Sequence, residues 1–237
     1  LKQIDVTRAG KVVWQDPEVR VEMQANGNRE GLSPQRFDVA TLTVRGPGDT
    51  LTAELLEPIN LNEANQAWSV RLTGNGPLER WAGRVRPWVA GVPEQLAGQA
   101  TLTAQLRARS GFVHVTQSDL DVTDFLAQVG GTTIVEPRIK STGDFRWEAT
   151  TRSIESNDLQ LTSSTVAARA NGVSIQFGET GPPTARGRVA FRGDFERVSA
   201  WGNLLGATQD GLRPRGAFEG LLQLTSDTNR ATSTLTF

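Results

Sequence analysis

The chain has no cysteine, no tyrosine and a single histidine, His114. Without thiols it has no disulfide framework, zinc ribbon, thiolate nucleophile or iron–sulfur ligand set. One imidazole excludes every site that needs two protein histidines and leaves a Ser-His-Asp arrangement one centre at most. Charge of one sign is missing too. The 25 Lys and Arg stand against 26 Asp and Glu, so the footprint of a dedicated nucleic-acid binder or a polybasic membrane-surface protein is absent and no nucleic-acid partner is expected. Nor does any stretch approach the ~18 apolar residues of a membrane-spanning helix.

What the sequence does have is alternation, with 24 Gly and 11 Pro to punctuate it. Val19-Val21-Met23, Leu42-Val44, Val70-Leu72, Ala100-Leu102-Ala104-Leu106, Val166-Ala168-Ala170, Val173-Ile175-Phe177, Val189-Phe191 and Phe218-Gly220-Leu222-Leu224 are spaced by two. Such a period puts apolar side chains on one strand face and Thr, Gln, Arg or Glu on the other. It describes antiparallel sheet with one dry and one wet face, because strands buried on both faces read as continuous apolar runs. Asn26-Gly27-Asn28, Gly46-Pro47-Gly48-Asp49, Gly74-Asn75-Gly76-Pro77, Ser110-Gly111, Asn171-Gly172 and Gly181-Pro182-Pro183 supply turn chemistry, and the expected order is a meander.

Three segments break the rhythm. Asp194 to Leu205 carries Phe195, Val198, Trp201, Leu204 and Leu205 on one helical stripe, with Asp194 as N-cap and Gly206 as stop. Pro77 to Arg86 places Leu78, Trp81 and Val85 on one side and ends at Pro87. Thr123 to Val129 reads as a further short helical turn. None is long enough to stand alone in water, so each is expected to dock on the sheet. The fold class is therefore predominantly all-β, a long antiparallel sheet with two or three short amphipathic helices.

An internal repeat organises the chain. Val70-Arg71-Leu72-Thr73-Gly74 followed by Leu78-Glu79-Arg80 returns as Val189-Ala190-Phe191-Arg192-Gly193 followed by Phe195-Glu196-Arg197, at offsets of 119 and then 117 residues. Gly98 and its strand to Leu106 match Gly216 and its strand to Leu224 at 118. Two β-modules follow, residues 1–117 and 118–237, sharing one continuous sheet and forming an excerpt of a longer protein.

Catalytic chemistry finds little support. His114 lies in Phe112-Val113-His114-Val115, on the wet side of a strand, with no Gly-x-Ser-x-Gly elbow beside it. Asp119, Asp121 and Asp124 lack the central glycine and closing glutamate of a calcium loop. Asp16 with Glu18, and Glu155 with Asp158, are carboxylate pairs whose chemistry depends on separation in space. Gly46-Pro47-Gly48 has neither the spacing nor the helix of a dinucleotide fingerprint. Arg84, Arg86, Arg107 and Arg109 read as a solvated face, and Trp81, Trp88 and Trp201 as rings packing helices on the sheet. No catalytic residue, cofactor or metal is expected.

Leu78-Glu79-Arg80-Trp81, Arg86-Pro87-Trp88, the run from Leu96 to Leu106 and the Asp119-Leu120-Asp121-Val122 strand together resemble the AsmA-like and TamB-like envelope proteins. The second copy, from Gly193 to Arg197 and from Arg215 to Leu222, is similar. The resemblance implies a long curved sheet open along one side like a gutter, with an apolar inner face. It further implies a periplasmic protein anchored to the inner membrane by a segment outside this chain, conducting phospholipid between membranes or supporting outer-membrane assembly, with envelope partners reached through other regions. It brings no catalytic residues.

The leading expectation is thus a non-enzymatic module whose apolar groove takes phospholipid acyl chains, lined by Val70, Leu72, Leu102, Leu106, Val189, Phe191, Leu222 and Leu224. Two rivals stand beside it. A structural or adhesive β-sandwich pair would pack the same faces against each other. A carbohydrate-binding β-domain would gather Trp and carboxylates in one exposed cleft.

Overall fold

The computed structural model describes residues 4–8, 11–16, 18–30, 33–63, 65–86, 93, 95–129, 132–178, 183–198, 215–227 and 230–236. Strands β1 (Ile4–Arg8) and β2 (Lys11–Asp16) pair with each other as a two-stranded sheet. The rest form one open, curved antiparallel sheet. Its strands are β3 (Arg20–Glu30), β4 (Ser33–Gly46), β5 (Asp49–Leu55), β6 (Ile59–Asn60), β7 (Trp68–Pro77), β8 (Gln95–Arg109), β9 (Phe112–Val129), β10 (Thr132–Glu148), β11 (Ser153–Ser163), β12 (Val166–Gln176), β13 (Thr184–Asp194), β14 (Ala217–Asp227) and β15 (Arg230–Thr236). Each pairs with its neighbour in sequence, except that β6 pairs with β4 and leaves β5 beside β7. Residues 117 and 118 lie inside β9, so the two halves of the chain share a strand.

Local chemistry sets these connections. Between β4 and β5, Pro47 presets φ at the first corner and Gly48 takes the positive φ, +77°, at the second. Ser110-Gly111 turns β8 into β9 with Gly111 at φ +70°. Three other expected turns lie within strands. Asn26-Gly27-Asn28 sits in β3 at register shifts, Gly74 to Pro77 ends β7, and Asn171-Gly172 sits in β12 beside another shift. Tight-turn residues also serve β-bulges, and flanking alternation on both sides favours continued pairing.

Those bulges fall into line. Register shifts occur between Gln105 and Leu106, Gly143 and Phe145, Gly143 and Arg146, and Asn171 and Ser174, so a crease crosses the sheet from β8 to β13. Gly143 (φ +155°), Gly172 (φ +57°) and Gly187 (φ +133°) lie along it. A bulge bends its strand and raises local twist, and bulges in register curve the whole sheet. Asp144 fastens the crease by accepting hydrogen bonds from the Asn157 and Asp158 backbone amides at 3.2 and 2.9 Å.

Helix α1 (Leu78–Val85) follows β7, and residues 195–198 are helical after β13. Asp194 caps the latter, its Oδ1 accepting from the Glu196 and Arg197 amides at 2.9 and 3.2 Å. The remainder of that expected helix, Trp201 included, lies outside the described residues, as do Pro87, Trp88, Gly181 and Pro182. The helical turn expected at Thr123 to Val129 is instead strand. β9 runs through it with Asp124 at φ +52° in a bulge facing Gly98, whose φ is +135°. Pairing on both sides, with β8 and β10, outweighs one turn's worth of helical periodicity.

Gly143→Ala should destabilise the chain by about 1–3 kcal/mol. An added Cβ would press on the Asp158 carbonyl and come within 2.9 Å of Leu159 Cα, at a φ that L-residues avoid. Thermal denaturation checks it, and an unchanged midpoint would remove the crease from the account of curvature.

Candidate functional site, an open apolar sheet face

Register partners share a face, so the pairing assigns every strand residue to one side. Val70 lies beside Leu106 and Leu72 beside Ala104, while Leu102 stands between Gly74 and Leu120. Val189 lies beside Leu222, Phe191 beside Gly220 and Leu224 beside Gly187. The series is unbroken between these groups, through Val122 with Ile139, Ser141 with Leu161, Leu161 with Ala168 and Ala168 with Phe191. All eight expected lining residues therefore lie on one face, in two groups about six strands apart, and all eight are half-buried.

Little covers them. β7 and β13 run in the same direction, six positions apart along the sheet, so α1 and the 195–198 helix stand at the same edge, the helical rim. There Leu78 and Trp81 of α1 pack with Leu120, Phe125 and Leu161 against buried Ala100, Val122 and Ile139. Phe195 meets Phe218 with ring centroids 4.5 Å apart. The large sheet is an open one, its strands bonded to their neighbours in a single series. Away from the helices, Met23, Leu42, Trp68, Phe145, Ile154 and Leu159 are each more than one-third exposed on it.

Both helices are held by arginine on a buried carboxylate. Asp49, 2% exposed, lies in phase with Leu51 on the apolar side. Arg80 Nε approaches its Oδ1 at 3.2 Å, and Arg84 grips both oxygens, Nη2 to Oδ1 at 3.2 Å. Glu136, 1% exposed, lies opposite Phe125 and accepts from the Ser164 amide at 3.0 Å and hydroxyl at 2.6 Å. Arg197 donates to the Ser164 carbonyl and hydroxyl at 3.0 and 2.6 Å and stands 3.9 Å from Glu136. Arg80 and Arg197 are the positions that the sequence repeat aligns with each other. Sequence reasoning missed both carboxylates, although Asp49 in phase with Leu51 and Glu136 in phase with Ile134 were the available signal.

The opposite face is polar and laced with ion pairs: Arg71 with Glu54, Arg138 with Asp121, Lys140 with Asp119, Arg146 with Glu155 and Arg169 with Asp158. These pairs absorb Asp119, Asp121, Glu155 and Asp158. His114 lies on this face between Arg107 and Arg146, its ring 6.2 Å from that of Phe112. Among the described residues no group of three or more His, Asp or Glu is placed to hold a metal. Arg84 binds Asp49 and Arg86 donates to the Pro93 carbonyl, so the arginines grouped in sequence with Arg107 and Arg109 divide between rim and wet face. Of the tryptophans with described surroundings, Trp81 packs under α1, while Trp68 and Trp147 lie in phase with Ala108 and Val113 on the apolar side.

Comparison with family models, curated proteins and solved structures returned no match for this chain. The face itself is therefore the ground for a functional reading.

Asp49→Ala should cost about 3 kcal/mol, since it strands Arg84 and Arg80 over apolar surface. Chemical denaturation measures the loss, and protease nicking at α1 in native buffer should rise with it. Hydrogen bonds from Arg138 hold the Asp121 carboxyl below its usual range, and those from Arg169, then Gln160, do the same for Asp158. A depressed folded-state pKa contributes stability above the unfolded carboxylate value and loses it as pH falls through the folded one. Asp121→Asn/Asp158→Asn should thus flatten the acid limb of melting temperature against pH while leaving its neutral-to-alkaline course level.

Proposed function

We propose that this chain is a non-enzymatic module whose open apolar face shelters phospholipid acyl chains, binding or conducting them along the sheet. One observation carries the reading: a predominantly apolar face that runs across the sheet, with α1 and the 195–198 helix at its edge among the described residues. Contiguous exposed apolar surface of this extent marks a binding site in a folded protein. A face made mostly of Leu, Val, Ile, Ala and Phe offers a ligand few groups to hydrogen-bond, which suits hydrocarbon better than sugar.

The long curved sheet is the architecture that the resemblance to AsmA-like and TamB-like proteins implies. On that resemblance the module works in the periplasm, held at the inner membrane by a segment outside this chain, and takes part in lipid transport or outer-membrane biogenesis. The paired helices, each held by the Arg of a Glu-Arg pair, support reading residues 1–117 and 118–237 as copies of one unit.

Mass spectrometry of the purified chain should find bound phospholipid. Leu102→Asp, a carboxylate in the middle of the face between Gly74 and Leu120, should lower the lipid-to-protein ratio on the order of tenfold while circular dichroism stays that of a β-sheet. Lipid absent from both proteins, or equal in both, would overturn the reading.

A further inference from the structure

At the helical rim the apolar face is covered by a segment of the chain itself. Leu78 and Trp81 of α1 lie on buried Ala100, Val122 and Ile139, together with Leu120 and Phe125. The Trp81 ring also stands over Gly74, where an added Cβ would come within 3.3 Å of it. Gly74 is the register partner of Leu102, and Leu102 is two residues from Ala100 on the same side of β8. The open part of the face and the part beneath α1 are therefore one surface, divided by where the helix sits.

α1 is a weak helix on a strong sheet. Its eight residues cannot hold a helix in water, so it persists through its docking. Its N-cap position is Pro77, which brings no side-chain hydrogen bond to the free amides of the first turn. Beneath it β8 is paired with β7 as far as Pro77 and Gln99, and with β9 through Thr123, so the ladder stays whole when the helix leaves. The latch is a buried charge pair. Asp49 has no exposed side-chain surface, while Arg80 and Arg84 are 27% and 18% exposed. Gly76 lets Asp49 lie against the end of β7 where the helix starts, since a Cβ there would come within 2.9 Å of Asp49 Cα. Separating such a pair returns both partners to water, and the recovered hydration offsets much of the lost attraction. The cost that remains is apolar, and hydrocarbon meets it: an acyl chain on Ala100, Val122 and Ile139 restores the contact that Leu78 and Trp81 give up.

We propose that α1 is a displaceable cover: an acyl chain advancing along the face takes the place of Leu78 and Trp81 on Ala100, Val122 and Ile139, and the helix lifts from the rim to admit it. The proposal rests on the acyl-chain reading of the sheet face and adds how that face is regulated. Without lipid, the Asp49 latch keeps the patch dry. With lipid, one apolar cover is exchanged for another, so the sheet surface meets water in neither state.

The test is amide hydrogen exchange of the intact chain, read by mass spectrometry before and after loading from phosphatidylcholine vesicles. In the free chain, residues 82–85, whose amides are bonded within the helix, should exchange at least about tenfold faster than β8 and β9 beneath, as opening of α1 alone requires. Loading should speed exchange in α1 by about a further tenfold and leave β8 and β9 unchanged. Asp49→Asn keeps the shape of the latch and removes its charge. It should raise α1 exchange about tenfold without lipid and quicken uptake of phosphatidylcholine carrying a pyrene-labelled chain. Asp121→Asn, which removes a carboxylate from the wet face, should do neither. Circular dichroism confirms that both variants keep the sheet. An α1 that exchanges as slowly as β8 and β9, or lipid bound with α1 exchange unchanged, would overturn the displaceable cover and leave the sheet face as a binding site. A chain that takes up no lipid would overturn the acyl-chain reading instead, and the free-chain exchange still decides whether α1 opens.

Discussion

Everything in this fold depends on keeping a period of two in register across a dozen strands. A slip of one residue in any hairpin would turn that strand's apolar side chains to water and its arginines to the dry side. The chain holds phase by joining sequence neighbours, which makes each register a local matter of one turn, such as Pro47-Gly48 or Ser110-Gly111. The ion pairs of the wet face reinforce the same choice. Arg138 reaches Asp121, and Arg169 reaches Asp158, only when their strands are in the observed register. Individually such exposed pairs contribute little to stability, but each penalises the slipped alternative by leaving its charges beside apolar neighbours.

Curvature enters where the alternation is interrupted. An extra residue inverts the faces beyond it unless the neighbouring strand is also irregular, so isolated bulges in a wide sheet are costly. Here they line up from β8 to β13, and Val115, Phe145 and Ile154 beyond the crease stay on the same side as Leu120, Ile139 and Leu161 before it. Glycine serves the crease because backbones approach closely there: at Gly187 a Cβ would lie 2.7 Å from Val173 Cα. Close approach also accounts for Gly27, where a Cβ would lie 2.9 Å from Phe37 Cα, whereas Gly172 faces open space and serves the crease by its φ of +57°, turn residues in both cases acting inside a strand.

That double meaning marks how far the sequence could be read. The all-β class, the wet and dry faces, α1 and the Asp194 cap were legible because they rest on periodicity and local chemistry. Each of the eight residues from Val70 to Leu224 singled out for the apolar face follows from its phase within its own strand. Bulges were not legible, since a Gly-Asn pair reads alike in a turn and in a bulge, and the Thr123 to Val129 segment was misread as helix for want of its partners in β8 and β10. Asp49 and Glu136 escaped for a different reason. Their function is set by arginines 31 to 61 residues away, which no local window joins.

The half-open geometry also bears on what the face can do with a lipid. A methylene moved fully out of water gains about 0.8 kcal/mol, and one lying on a single sheet has roughly half its surface sheltered, so it gains about 0.4 kcal/mol. A chain of roughly sixteen carbons then gains about 6 kcal/mol on the face, against about 13 kcal/mol within a bilayer. On the proposed reading, hydrocarbon would therefore be held against escape to water yet released to a membrane that the sheet meets. A closed cavity would shelter the chain fully and hold it as a carrier does. An open face would instead favour passage along the sheet, with the helices pinned at one rim shielding part of the route.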